Sequence, residues 1–216
     1  MMVVISRFLI VAGLLFGTGL AQTNDVSSYE TSVRIEAFEL PVADAFNVQK
    51  IMSEGTAAER QEILQRLREE GAAGKVKAVA KLEGKGMAGE KLELGSGSPQ
   101  TYPTGFRLTG GLAMVVSTEV RKTGWLAELE IATEDDQEQR TVTAYIRHTE
   151  MDGSRRHRAS KTDAQGSFEQ PIFASVSIQT RLVMRTGEPR LAGIFTPTQT
   201  EQPVSNLGVV ILTLEP

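Results

Sequence analysis

Cysteine is absent from the 216-residue chain. That excludes thiol nucleophiles, thiolate metal sites, disulfides and lipid attachment at a lipoprotein cysteine. Histidine is nearly absent, with only His148 and His157, too few and too poorly spaced for a zinc site. Aromatic residues make up 6% of the chain, with one Trp, and none are interleaved with basic runs as base-stacking platforms would be. An excess of positive charge is also missing, since 23 basic side chains face 27 acidic ones. A mildly acidic surface has no general attraction for nucleic acid or anionic lipid.

The one long apolar run stands at the start. Arg7 precedes the stretch 8–16, and small Gly19 and Ala21 follow at the positions a signal peptidase requires. This is the three-part pattern of a secretory signal peptide over residues 1–21, with cleavage expected after Ala21. An uncleaved anchor would need about twenty apolar residues and would have to run through Ser6 and Arg7. The expected destination is periplasmic or extracellular, with no stable membrane span after cleavage. Without Arg7 the formal charge becomes 22 − 27 = −5. An exported chain without disulfides must rely on its core, a partner or assembly.

Residues 22–28 are polar and read as a flexible leader; residues 29–216 read as one α+β domain. Val33, Ile35 and Ala37 alternate with Arg34, Glu36 and Phe38, which predicts a strand. Pro41 suits a first helical turn, and Val42, Ala45, Phe46, Gln49 and Met52 predict a helix over about 41–54. Thr56 and Glu59 have capping-box spacing. Ile63, Leu64 and Leu67 form the stripe of a second helix over about 56–71, ended by Gly71 and Gly74. From Val76 the period becomes 2, with strands expected at 76–83, 90–94, 112–120, 125–132, 141–148, 172–184 and 208–214. Residues 133–140 and 151–170 read as long loops. A helix pair followed by antiparallel strands argues for a mainly antiparallel α+β fold, a sandwich or a curved sheet.

The motifs that carry chemistry mostly fail their context tests. Gly84-Lys-Gly-Met-Ala-Gly89 matches G-x-G-x-x-G, but a strand rather than a helix follows, so a glycine-rich hairpin is the better reading. Gly95-Ser-Gly-Ser-Pro99 does not satisfy the nucleophile elbow. His148 ends a predicted strand and could approach Asp152 or Asp163, but no serine sits in an activating turn. Glu134, Asp135, Asp136 and Glu138 lack calcium-loop spacing. The most basic segment, Arg155, Arg156 and Arg158 with Lys161, is the candidate anion or partner contact, weighed against a solvated loop. No catalytic, metal or cofactor residues are expected.

The order of the β segments resembles the C-terminal homology domain of secretins, the outer-membrane pore proteins of type II and III secretion and type IV pilus systems. Residues 81–91 with Tyr102-Pro-Thr-Gly-Phe106 are similar to the family's glycine turn and its Y-P-T-E-(F/Y) element. Residues 110–119 and 125–131 are similar to the paired strands that follow. Residues 173–187, 191–195 and 208–216 are similar to the closing strands. Thr196 to Asn206 replaces the family's V-P-x-L-G-x-I-P stretch, and no room is expected for its repeated N-terminal ring-building domains. The resemblance implies a non-enzymatic role in envelope assembly or secretion, with secretion-system proteins or further copies of the chain as partners. The alternative is a ligand-binding module with an anion-binding basic loop.

Overall fold

A computed structural model describes residues 30–109, 112–133, 138–158, 167–197 and 204–215. The expected signal peptide and leader, the acidic residues Glu134 to Asp136, and Lys161 lie outside the described residues. The elements run β1 (Glu30–Pro41), α1 (Val42–Glu54), α2 (Ala57–Ala72), β2 (Lys77–Met87), β3 (Lys91–Gly95), β4 (Ser98–Thr109), β5 (Leu112–Thr133), β6 (Gln139–Arg158), β7 (Ser167–Arg185), β8 (Arg190–Phe195) and β9 (Asn206–Glu215). The fold is α+β and mainly antiparallel, as the sequence predicts.

Two sheets and a helix pair form three layers. The first sheet has the order β2-β1-β9-β8, and the second runs β3-β5-β6-β7 with β4 also paired to β5. Strand alternation sorts β1 and β9 between two cores. Val33, Ile35, Ala37, Val210, Leu212 and Leu214 point at the second sheet and meet Trp125, Leu129, Ile131, Val142 and Ile146. Phe38, Leu40, Val209 and Ile211 point the other way, against Ala45, Val48, Met52, Ile63, Leu64 and Leu67 of the helices. A strand covered on both faces reads as a continuous apolar run, and residues 208–214 are all buried.

The two helices follow their sequence patterns unequally. α2 begins with the expected capping box, in which Thr56 Oγ1 accepts from the Glu59 amide at 3.3 Å and Glu59 Oε2 accepts from the Thr56 amide at 2.7 Å. Its buried stripe is Ile63, Leu64 and Leu67, with Arg60 one turn earlier. In α1 the buried stripe is Ala45, Val48 and Met52, and Phe46 is 55% exposed. Phe46 follows Ala45 by one position and so lies off that stripe.

Several strand boundaries correct the sequence reading. The strands expected at 112–120 and 125–132 are one 22-residue strand, bent at Gly124 (φ 101°). Gly124 turns the strand without ending it. β4 carries no strand expectation, and its alternation is interrupted by Pro99, Pro103 and Gly105. Proline is tolerated in a strand with a free edge, and β4 pairs with β5 alone among the described residues. The expected loop at 151–170 is mostly the paired ends of β6 and β7. Beyond Glu150 most residues of β6 are exposed, so no apolar face marks the strand. The turn after Met87 is not a paired hairpin: β2 pairs with β1 and β3 with β5, so the glycine segment carries the chain between sheets.

Candidate functional site

The second sheet has two distinct edges. β3 pairs with 126–130 of β5 and β4 with 112–123, so β3 and β4 together flank nearly the whole of β5 on the side away from β6. The opposite edge is β7, which pairs with β6 and, among the described residues, with no other strand. All these pairings are antiparallel. β7 therefore runs antiparallel to β3 and β4, and a second copy could set its β3 edge against β7 without breaking the alternation.

Chemistry distinguishes the edges. Pro99 and Pro103, with a register shift beside Pro103, interrupt the β4 edge; prolines and bulges are devices that blunt an edge. From Ile172 to Arg185, β7 contains no Pro, Gly or Lys. Val176, Ile178 and Leu182 pack on the core and Met184 is buried, while Ser175, Ser177, Gln179, Arg181 and Val183 are exposed. The strand is thus held in register by its inner face, with its second row of backbone donors and acceptors unpaired by any described strand.

β5, β6 and β7 have 22, 20 and 19 residues, whereas strands of globular proteins usually have about 3–10. Their outer halves form two ribbons. The β4–β5 ribbon lies against the β6–β7 ribbon through rings: Phe106 stacks on Phe168 at 3.5 Å and Tyr102 meets Phe173 at 5.1 Å, while His157 stacks on Phe168 at 4.9 Å within the β6–β7 ribbon. Arg121 sits 5.0 Å over Phe173. On one face of β5, Met114, Val116 and Val120 are 56%, 58% and 64% exposed. That apolar row has no layer over it among the described residues.

The basic segment is part of this structure rather than a free loop. Arg155 stands opposite Gln170, Arg156 opposite Glu169 and Arg158 opposite Ser167. The structure brings Arg155, Arg156 and Arg158 to the outer end of β6 but does not place Lys161. His157 is engaged with Gln170 at 3.1 Å. His148 lies mid-strand, stacked on Trp125 at 4.7 Å, in a cleft of about 420 Å³ with Glu39, Lys77, Glu150 and Phe195. Burial lowers its pKa, opposed by Glu150 and Glu39. Among the described residues no serine lines this cleft, and Asp163 lies outside them. Nor is any group of three or more His, Asp or Glu among them placed to hold a metal.

Sequence reasoning missed both the free β7 edge and a buried charge cluster. Arg60 and Arg190 both reach Glu188, joining α2 to the β7–β8 turn. The cluster left one signal, since Arg60 stands one turn before Ile63 and Leu64, a charge on the apolar stripe. Edge pairing leaves no such mark, because periodicity reports faces and not edges.

No protein-family model and no curated protein matches the chain. Similar solved structures include the secretin domain β-barrel of InvG from the Salmonella SPI-1 injectisome, with a TM-score of 0.39 and 12% identity over 86% of this chain and 61% of that chain. Another is the V. cholerae type IV competence pilus secretin PilQ, with a TM-score of 0.38 and 8% identity over 86% of this chain and 57% of that one. The chain spans about three fifths of the length of the first of these. A likeness at that level assigns neither family nor function. Among the described residues no helix is long and apolar enough to cross a membrane.

Proposed function

We propose that this protein is an exported, non-enzymatic component of envelope assembly or secretion that works by joining copies of itself edge to edge. The observation that carries the reading is the β7 edge from Ile172 to Arg185, register-fixed and without Pro, Gly or Lys, at the opposite side of the sheet from β3. Unpaired strand edges template the addition of another strand. The two edges of one copy are different surfaces, so their contact is heterologous and generates a ring or filament rather than a two-fold dimer. With β3 beside β5, β6 and β7, each copy contributes an even, up-and-down set of four strands. Every junction in a closed ring is then antiparallel, and a closed barrel has no edges left.

The test is sedimentation of the chain beginning at Gln22, in buffer and in mild detergent. The expected result is concentration-dependent association that Ser177→Lys with Gln179→Lys abolishes, leaving the monomer's circular dichroism intact. Reversing Arg155 and Arg156 to Glu leaves association unchanged. A strictly monomeric wild-type chain under both conditions overturns the proposal.

A further inference from the structure

We propose that the cavity between the start of α2, the end of β7 and the β7–β8 turn is an oxyanion site that takes a carboxylate or phosphate group. The cavity measures about 670 Å³, and its lining includes Ala57, Arg60, Arg185, Thr186, Glu188 and Arg190. Three guanidinium groups thus face one carboxylate, an excess of two positive charges. Glu188 is already shared: it accepts from Arg60 Nη2 and lies 3.1 Å from Arg190 Nη2. Arg60 also donates from Nη1 to the Gly55 carbonyl at 2.7 Å. The side chains of Arg60 and Glu188 are 8% and 10% exposed.

The donors in this cluster outnumber their acceptors. The Nε groups of Arg60 and Arg190 are buried and find no hydrogen-bond partner. Arginine cannot relieve this by losing its proton. Glu188 is shared between two of the three cations, and planar guanidinium forks fit carboxylate and phosphate oxygens. α2 adds to the positive field, because Ala57 brings the amide end of a 16-residue helix to the cavity wall, where free N–H groups and the helix dipole favour an anion. The first-turn acid, Glu59, offsets part of this field, with its carboxylate held at the helix start by Thr56, so the excess of positive charge rests mainly on Arg185 and Arg190. A purely structural strut between α2 and the β7–β8 turn would account for Arg60 and Glu188. It leaves Arg185, exposed and lining the same cavity, without a role.

The oxyanion has two sources, a free small anion or an acidic side chain of a second copy. Only the second depends on the edge-pairing reading. The test titrates the chain beginning at Gln22 with phosphate and with citrate at constant ionic strength, with chloride as control, followed by calorimetry and thermal melting. Saturable binding with a raised melting temperature is expected for phosphate and citrate but not chloride. Arg185→Gln with Arg190→Gln weakens binding by about tenfold or more, as losing charge-assisted bonds should. Glu188→Gln lowers the melting temperature, and phosphate restores part of it. If sedimentation shows phosphate dissociating associated copies, the natural oxyanion is a second copy's carboxylate; binding at unchanged mass assigns a free anion. A response no greater than chloride's, or one unchanged in the double arginine variant, overturns the site whether or not the chain associates.

Discussion

His148 sits at the seam between the two sheets, flat against Trp125, and burial holds its pKa below the ordinary histidine value of 6.5 despite the pull of Glu150 and Glu39. The folded chain therefore favours the neutral imidazole. Below pH 6.5 the unfolded chain binds the proton more readily, so stability falls as pH drops into that window and is unaffected by this group above it. Between about pH 8 and about pH 5, wild type should lose more melting temperature than His148→Gln, because the variant lacks this penalty. Parallel curves would show that His148 contributes no linkage. Individual residues are unevenly legible in the sequence. Thr56 and Glu59 mark the start of α2 because a capping box is a local device. Phe46 misleads, since two adjacent stripes of α1 satisfy helical spacing and only the sheet beneath chooses Ala45, Val48 and Met52. Arg155 and Arg156 read as loop because a strand exposed on both faces has no apolar period to detect.

At the scale of elements, Gly124 decides where the β4–β5 ribbon leaves the sandwich. Its φ of 101° suits glycine alone, and a Cβ there would stand 2.6 Å from the Gly97 Cα. Gly124→Val should cost about 1–3 kcal/mol in urea unfolding and speed amide exchange in β4 and outer β5 more than in β1 and β9. Gly153 provides the contrast. It has φ 91° but open space where a side chain would begin, so Gly153→Ala should be the milder change. Equal effects at the two sites would show that the Gly97–Gly124 approach does not hold the ribbon. The order of elements is legible in the sequence, from the first strand and helix pair to the closing strand, because each has a one-sided or fully buried pattern. The lengths of β5, β6 and β7 are not, since their outer halves are largely exposed. Nor is the assignment of β2 and β3 to different sheets, because a turn's sequence does not state which strands pair.

For the whole molecule, the helices cover one face of the first sheet and the second sheet covers the other, so neither central strand, β1 nor β9, is available for assembly. The edges of the first sheet are β2 and the six-residue β8, and the long edge of the second sheet is the 19-residue β7. That long edge is the ground of the proposed assembly. The absence of cysteine lets the contact be mapped directly, because introduced cysteines have no native competitor. Single cysteines at Ser177, Gln179 or Arg181 in β7 can be mixed with single cysteines at Lys91, Glu93 or Gly95 in β3, then oxidised. Edge-to-edge assembly predicts mixed disulfides between a β7 cysteine and a β3 cysteine, and a ladder of higher species when one chain carries both. Disulfides confined to β7 with β7, or none at any pairing, would contradict it.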